Sequence, residues 1–204
     1  MKITWLGKAC FALEKDGYTI VIDPYYNTGT GYPPLKVSAN EVLVSHESSG
    51  HNNRKAVTVT PKSFSPFTVE TVETYHDTIR GGQRGPNTIH IITDNEGVRV
   101  IHTGDMGVWT DDDLLSDADV LLLEVGSYRA MQSEEIARWA VQYDPRVIIP
   151  MHYHHDRILN RRYNTLDDLL FMMDHSYPVE NYETTAIEVT AETPRQIAVL
   201  KDIV

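Results

Sequence analysis

Through the first half of the chain, apolar and polar residues alternate in short runs, the period of a strand with one buried face. Runs at 2–6, 10–14, 18–22, 42–45, 57–60 and 68–74 carry this pattern, with Gly, Asn and Pro between them. Asp16-Gly17 lies between the second and third runs and predicts a tight hairpin. Runs at 88–93 and 98–102 flank Asp94-Asn95-Glu96-Gly97 and predict another. The pattern then changes. Leu114-Leu115 predicts a short capped helix, and 120–125 is an unbroken apolar run of the kind buried on both faces. Residues 133–143 have helical spacing at Ile136, Ala137, Ala140 and Val141. A second buried strand follows at 147–149, then a helix at 165–173 opening on Thr-x-x-Asp, and closing strands at 186–189 and 196–200. Strands first, then strands alternating with helices, predict an α/β (α+β) sandwich, sheets covered by helices, rather than a doubly wound nucleotide fold. No GxGxxG or phosphate-loop pattern is present. A length of 204 residues predicts one domain, 1–204.

Composition narrows the function classes. Hydrophobic residues at 41% and charged residues at 23% suit a soluble globular chain, and no apolar run reaches the roughly 18 residues of a membrane span. The opening Met1-Lys2-Ile3-Thr4-Trp5 reads as a strand, so no signal peptide is expected. The single cysteine, Cys10, excludes an internal disulfide and predicts a cytoplasmic location. A net charge of −11 argues against nucleic-acid phosphates as partners but is compatible with a small anionic substrate held by a metal. Asp111-Asp112-Asp113 and Glu134-Glu135 read as first-turn helix acids behind Thr110 and Ser133, not as metal ligands.

The candidate chemistry lies at the strand ends. His46 and His51 follow the fourth run, His76 the sixth, Asp105 the strand ending near His102, and His152 the strand at 147–149. Imidazoles with a carboxylate at converging strand ends suit zinc, manganese or iron. His90 and His102 inside strands and His175 near a helix end read as structural; His154 is a possible spare ligand. Gly81-Gly82-Gln83-Arg84-Gly85 reads either as an anion-binding loop or as a plain glycine-rich turn, and 25–34 either as a pocket mouth or as a surface loop. A serine hydrolase is not expected, because no Gly-x-Ser-x-Gly elbow is present.

The segments "ITWLGKACFAL", "TIVIDPY", "LVSHESSGHNN", "YHDTIRGGQRGPNTIHII", "VIHTGDMG", "DVLLLEVGS" and "PRVIIPMHY", in this order, resemble the metallo-β-lactamase superfamily. In particular they are similar to its L-ascorbate-6-phosphate lactonase-like branch of metal-dependent hydrolases. The resemblance implies a four-layer αβ/βα sandwich with a metal centre on one edge between the sheets. It implies one metal position with His46, His76 and Asp105, and a second with His51, His152 and the same Asp105.

The chain departs from the family loop Thr/Ser-His-x-His-x-Asp-His at two positions. Ser48 stands on the second histidine and Gly50 on the aspartate, so the loop is degenerate. Lys8 stands where the opening motif carries histidine, Glu124 where the branch has proline, and Ser127 where it has glycine. Glu47 could serve as a replacement oxygen donor or be a solvated loop acid. One ion or none is expected rather than two, zinc first among the divalent metals. Bound water near pKa 7 instead of about 15.7 then supplies hydroxide, with Asp105 as the catalytic carboxylate. The expected activity is hydrolysis of a small ester, lactone or phosphodiester through a metal-bound hydroxide. The alternative is an inactive binding or scaffold protein. Asp105, His51 and His152 are expected in one ligand sphere, with His46 and His76 beside it.

Overall fold

In the computed structural model, residues 1–28, 31–127, 130–154, 163–173 and 177–203 are described. The strands in chain order are β1 (Lys2–Trp5), β2 (Phe11–Lys15), β3 (Tyr18–Ile22), β4 (Val37–Ala39), β5 (Glu41–Leu43), β6 (Val57–Val59), β7 (Phe67–Tyr75), β8 (Pro86–Asp94), β9 (Arg99–His102) and β10 (Val120–Glu124). Helix α1 (Ser133–Tyr143) leads to β11 (Val147–Met151), and α2 (Leu166–Met173) leads to β12 (Val179–Asn181), β13 (Ala186–Glu188) and β14 (Gln196–Val199). One sheet has the order β13-β1-β2-β3-β5 and the other β12-β14-β11-β10-β9-β8-β7. The two-stranded ribbon β4-β6 stands apart.

Each sheet follows from its sequence pattern. In the first sheet, alternate residues of β2 and β3 go to opposite sides: Phe11, Leu13, Ile20 and Ile22 enter the main core, while Ala12 and Val21 join a smaller cluster with Tyr25, Tyr32, Ala39 and Val57. Asp16 and Gly17 both have positive φ, which closes the β2–β3 hairpin in the turn whose twist suits antiparallel strands. In the second sheet β9, β10, β11, β14 and β12 pair in parallel, and β10 and β11 are buried at every position.

Helices α1 and α2 form the crossovers of this parallel part, and their buried residues Ile136, Ala137, Trp139, Ala140, Leu169 and Met173 complete the main core. The expected layered sandwich is present. Among the described residues the layer outside the first sheet is built from the β4-β6 ribbon and the segment around Tyr25 and Tyr32 instead of a helix. No helix among the described residues is long and apolar enough to cross a membrane.

Local differences have local causes. β4 and β12 have only three residues each, and β12 is exposed throughout, so neither carries a readable alternation. The acidic run starts a 3-10 turn at Asp113–Leu115 capped by Asp112, whose side chain accepts from Leu114 N at 2.9 Å, so Thr110 is not the cap. Ser133 is not the cap of α1 either. Gln132 precedes the helix, and the buried Ser133 hydroxyl instead donates to Val125 O at 2.7 Å, tying α1 to the end of β10. The Thr165–Asp168 cap of α2 is as expected, with Asp168 N donating to Thr165 Oγ1 at 3.2 Å.

The Trp139 ring is fully buried between α1 and the sheet, and its Nε1 donates to Thr110 O at 2.8 Å. Trp139→Ala is therefore expected to cost about 3–5 kcal/mol in urea unfolding, through a cavity and a lost hydrogen bond. Phe171→Ser, at a side chain 79% exposed, should stay within about 0.5 kcal/mol of the parent.

Candidate metal centre

The ends of β3, β5, β7, β9, β10 and β11 bring Asp23, His46, His76, Asp105, Glu124 and His152 to one edge, and the loop after β5 returns His51 to them. All seven are buried. Asp105 is at the centre. Its Oδ2 lies 3.1 Å from His76 Nε2, 3.3 Å from His51 Nε2 and 3.9 Å from His46 Nε2, and its Oδ1 lies 2.7 Å from His152 Nδ1. Two triads share this carboxylate: His46, His76 and Asp105, and His51, Asp105 and His152, with the ligand atoms of each within 4.8 Å of one another. All five residues singled out from the sequence thus converge.

Neighbouring groups fix these side chains. The Asp23 carboxylate accepts from Ser45 N at 2.6 Å and Ser45 Oγ at 2.5 Å, and His51 Nδ1 lies 2.7 Å from its Oδ2. That contact places the proton on Nδ1 and turns His51 Nε2 towards Asp105, the outer-carboxylate arrangement common behind metal-bound histidines. Asp105 N donates to Asn87 Oδ1 at 3.1 Å, while Asn87 Nδ2 donates to Thr103 O at 2.9 Å. A side chain on Gly104 would collide with Asn87 Oδ1, and φ there is +59°, so the approach to Asp105 requires glycine. His102 bridges Ala9 O at 2.8 Å and Gly104 N at 3.1 Å, the structural role expected of it.

The remaining candidates separate clearly. Glu47 is exposed and is held by Asn52 Nδ2 at 2.9 Å and Arg54 Nη2 at 2.8 Å, away from the donor set. His154 belongs to neither triad; His175 and His155 fall outside the described residues. Arg84 reaches the site, its Nη1 2.9 Å from His76 Nε2. Its loop is pinned by the buried Asp77 carboxylate, which accepts from the amides of Ile79, Gly81 and Gln83 at 3.0 Å each and of Arg84 at 2.6 Å. Of the 25–34 segment, Tyr26, Thr28 and Tyr32 line the pocket over the site, with Tyr153 and Tyr163. Sequence reasoning passed over Asp23, Asn87 and Asp77. Asp23 could have been found by the strand-end rule that found the others, since it directly follows β3.

The site's electrostatics follow from burial. Burial lowers the pKa of His46 to about 3 and of His152 to about 4, leaving both imidazoles neutral. Burial also opposes charge on His51, but Asp105 and Asp23 outweigh it and raise its pKa. Asp105 is buried too, yet His152 and His51 hold it well below the usual carboxylate range. Glu124 goes the other way, pushed well above that range by burial and by Asp105. The Nε2 atoms of His46 and His152 are buried without a hydrogen-bond partner. Orphaned imidazole nitrogens around a shared carboxylate are what a divalent ion needs, so the residues present fit one.

A layered sandwich with imidazoles and a carboxylate gathered at its strand ends defines the metallo-β-lactamase class of fold. The chain belongs to the β-lactamase superfamily, whose domain model, described as "Beta-lactamase superfamily domain", matches residues 2–152. A UPF0173 metal-dependent hydrolase of Archaeoglobus fulgidus is 31% identical over 195 aligned positions, covering 76% of this chain and 84% of the relative. A crystal structure from Thermotoga maritima, of a candidate zinc-dependent hydrolase of the metallo-β-lactamase superfamily, is 30% identical with a TM-score of 0.72 over 98% of this chain and 97% of that one. An isothiocyanate hydrolase from Delia radicum gut bacteria shares the fold at 15% identity, with a TM-score of 0.64 over 86% and 93% of the two chains.

Two expectations come from this geometry. Between about pH 6.5 and 4 the unfolded chain protonates His46 and His152 while the native fold does not, so stability of the metal-free protein falls with pH by up to about 1.4 kcal/mol per unit for each. The raised His51 acts oppositely: its contribution is full below about pH 6.5 and is lost as pH rises through its folded value. Melting temperature in chelator should therefore peak near pH 6.5; a flat profile from 6.5 to 5 contradicts neutral buried imidazoles. Asp23→Asn, which removes the carboxylate behind His51, should weaken zinc binding about 10–100-fold in calorimetric titration.

Proposed function

We propose that the protein is a metal-dependent hydrolase acting on a small, anionic ester, lactone or phosphodiester. The observation that carries this is the pair of buried triads sharing Asp105, with the Nε2 atoms of His46 and His152 unpartnered. Histidine with carboxylate suits zinc first, manganese or iron next. We expect a single ion, with His46, His76 and Asp105 or His51, Asp105 and His152 as its protein ligands. When bound, it lowers the pKa of a coordinated water to about 7 and polarises a carbonyl or phosphoryl oxygen.

The chain's own residues supply the rest. Asp105, acceptor-only at neutral pH, orients whatever approaches the imidazoles. Asp23 holds His51 in one tautomer. Arg84 donates to the His76 Nε2 lone pair that an ion would use; were that lone pair taken up by a ligand bond, the Arg84 guanidinium would be available to an anionic substrate group. The pocket is about 820 Å³, and Tyr26, Tyr32, Tyr153 and Tyr163 in its wall offer apolar faces to the body of the substrate. Lactone chemistry of the ascorbate-phosphate type, suggested by the sequence resemblance, is one member of this class. The likeness to metal-dependent hydrolases that span nearly the same length supports the assignment. The single buried cysteine is consistent with the cytoplasm as location.

A second reading, a binding or scaffold protein without catalysis, is favoured by Ser48 and Gly50 and by Arg84 resting on a ligand nitrogen. Elemental analysis decides between them. Protein purified without added metal, then loaded, should carry about one zinc, manganese or iron per chain, and Asp105→Ala should lose it together with hydrolysis of the ester, lactone and phosphodiester panel. Content that stays near zero after loading would sink the hydrolase. Ser48→His should gain about 1 kcal/mol or more in metal affinity, since it adds a ligand beside His46.

A further inference from the structure

Lys8 enters the same pocket on a rigid backbone. Its φ is +56°, and its carbonyl accepts from Trp5 Nε1 at 2.9 Å and from His152 N at 3.1 Å. Two donors clamping one carbonyl fix the direction in which the side chain leaves. That side chain lines the pocket with His51, His76, Asp105 and His152.

Gly50 is the space that Lys8 uses. A Cβ built on Gly50 would run into Lys8 Nζ and lie 3.2 Å from its Cε. Gly50 does not have positive φ, so the backbone itself would accept another residue; what a side chain there meets is the Lys8 ammonium, which would have to move aside. Loss of hydration acts most strongly on the Lys8 ammonium and lowers its pKa from the ordinary lysine value, with Arg84 adding to it, while Asp105, Asp23 and Glu124 act the other way. Lys8 Nζ lies against Gly50, the neighbour of His51, and the Lys8 carbonyl accepts from His152 N at 3.1 Å, so this residue stands on the side of the site formed by His51, Asp105 and His152. That triad has one carboxylate, already shared with the other triad, and among the described residues Lys8 makes no ion pair. A divalent ion placed there would share the pocket with this ammonium and would have Asp105 as its single carboxylate ligand.

We propose that the Lys8 ammonium stands in for one ion of a two-ion centre: the chain binds a single divalent ion at His46, His76 and Asp105, while Lys8 supplies the second positive charge beside His51, Asp105 and His152. The residue at 50 and the residue at 8 act as one device. Glycine at 50 leaves the room open, and lysine at 8 fills it with a cation. This inference rests on the metal-centre reading above and specifies its stoichiometry.

Zinc stoichiometry of the full chain tests it, by calorimetric titration with elemental analysis of the dialysed protein. The parent should bind one ion. Lys8→Met with Gly50→Asp should bind two, because the ammonium is gone and a carboxylate takes the vacated room. Should the double variant fail to give the parent's circular dichroism, Lys8→Met alone decides: a second binding step should appear, at least tenfold tighter than any second step in the parent. Gly50→Asp with Lys8 retained should remain at one ion. A parent that binds two ions overturns this inference and leaves the hydrolase intact, as does a folded double variant that stays at one or a folded Lys8→Met without the second step. No ion in any of these proteins overturns both.

Discussion

Removing the Asp105 carboxylate from water costs several kcal/mol of hydration, and the geometry of the site follows from how that cost is met. Four imidazoles surround it; burial keeps His46 and His152 uncharged, and His152 serves it through a hydrogen bond at 2.7 Å. His51, whose pKa is raised, supplies charge but shares it with Asp23. The site is thus a chain of alternating signs, Asp23, His51, Asp105, with further cations, Arg84 and Lys8, at the margin. A divalent ion fits such a chain because it can serve the neutral nitrogens and the carboxylate at once.

Holding these groups in place strains the backbone. Lys8, Asp23 and His152 all have φ near +50° to +57° although none is glycine, a conformation that costs of order 1 kcal/mol or more at each position. Each is tied down by hydrogen bonds from elsewhere in the fold: the Lys8 carbonyl by Trp5 and His152, the Asp23 carboxylate by Ser45 and His51. Rigid strands of both sheets supply these ties. The core that covers α1 and β10 is therefore part of the site's precision, through Ser133 on Val125 and Asn87 on Thr103.

Much of this could be read in the sequence because it rests on local rules. Alternation placed β1 to β3 and β7 to β9, continuous apolar runs placed β10 and β11, and the strand-end rule together with the family resemblance picked out His46, His51, His76, Asp105 and His152. Other features depend on contacts between distant segments. Nothing local marks Gly50 as room for Lys8, forty-two positions earlier by their numbers. Gly50 lacks positive φ, and the atom that crowds it is Lys8 Nζ. Asn87 likewise looks like an ordinary strand residue until its amide is seen to bridge Thr103 and Asp105. Short edge strands such as β12 escape notice because an exposed strand need not alternate.

The four amides gathered on Asp77 make the segment between His76 and Arg84 nearly independent of its own side chains. A carboxylate that binds N–H groups reads only backbone, so Ile79 and Gln83 are free to change identity while the path of the chain is kept. Gly81 is one exception, confined by its φ of +80° and by the Tyr75 ring, and Arg80, whose φ is +53°, is another. The segment is in effect an interchangeable cassette: its side chains can be redrawn while the backbone still carries Arg84 to the pocket and leaves the imidazole anchored at its base undisturbed.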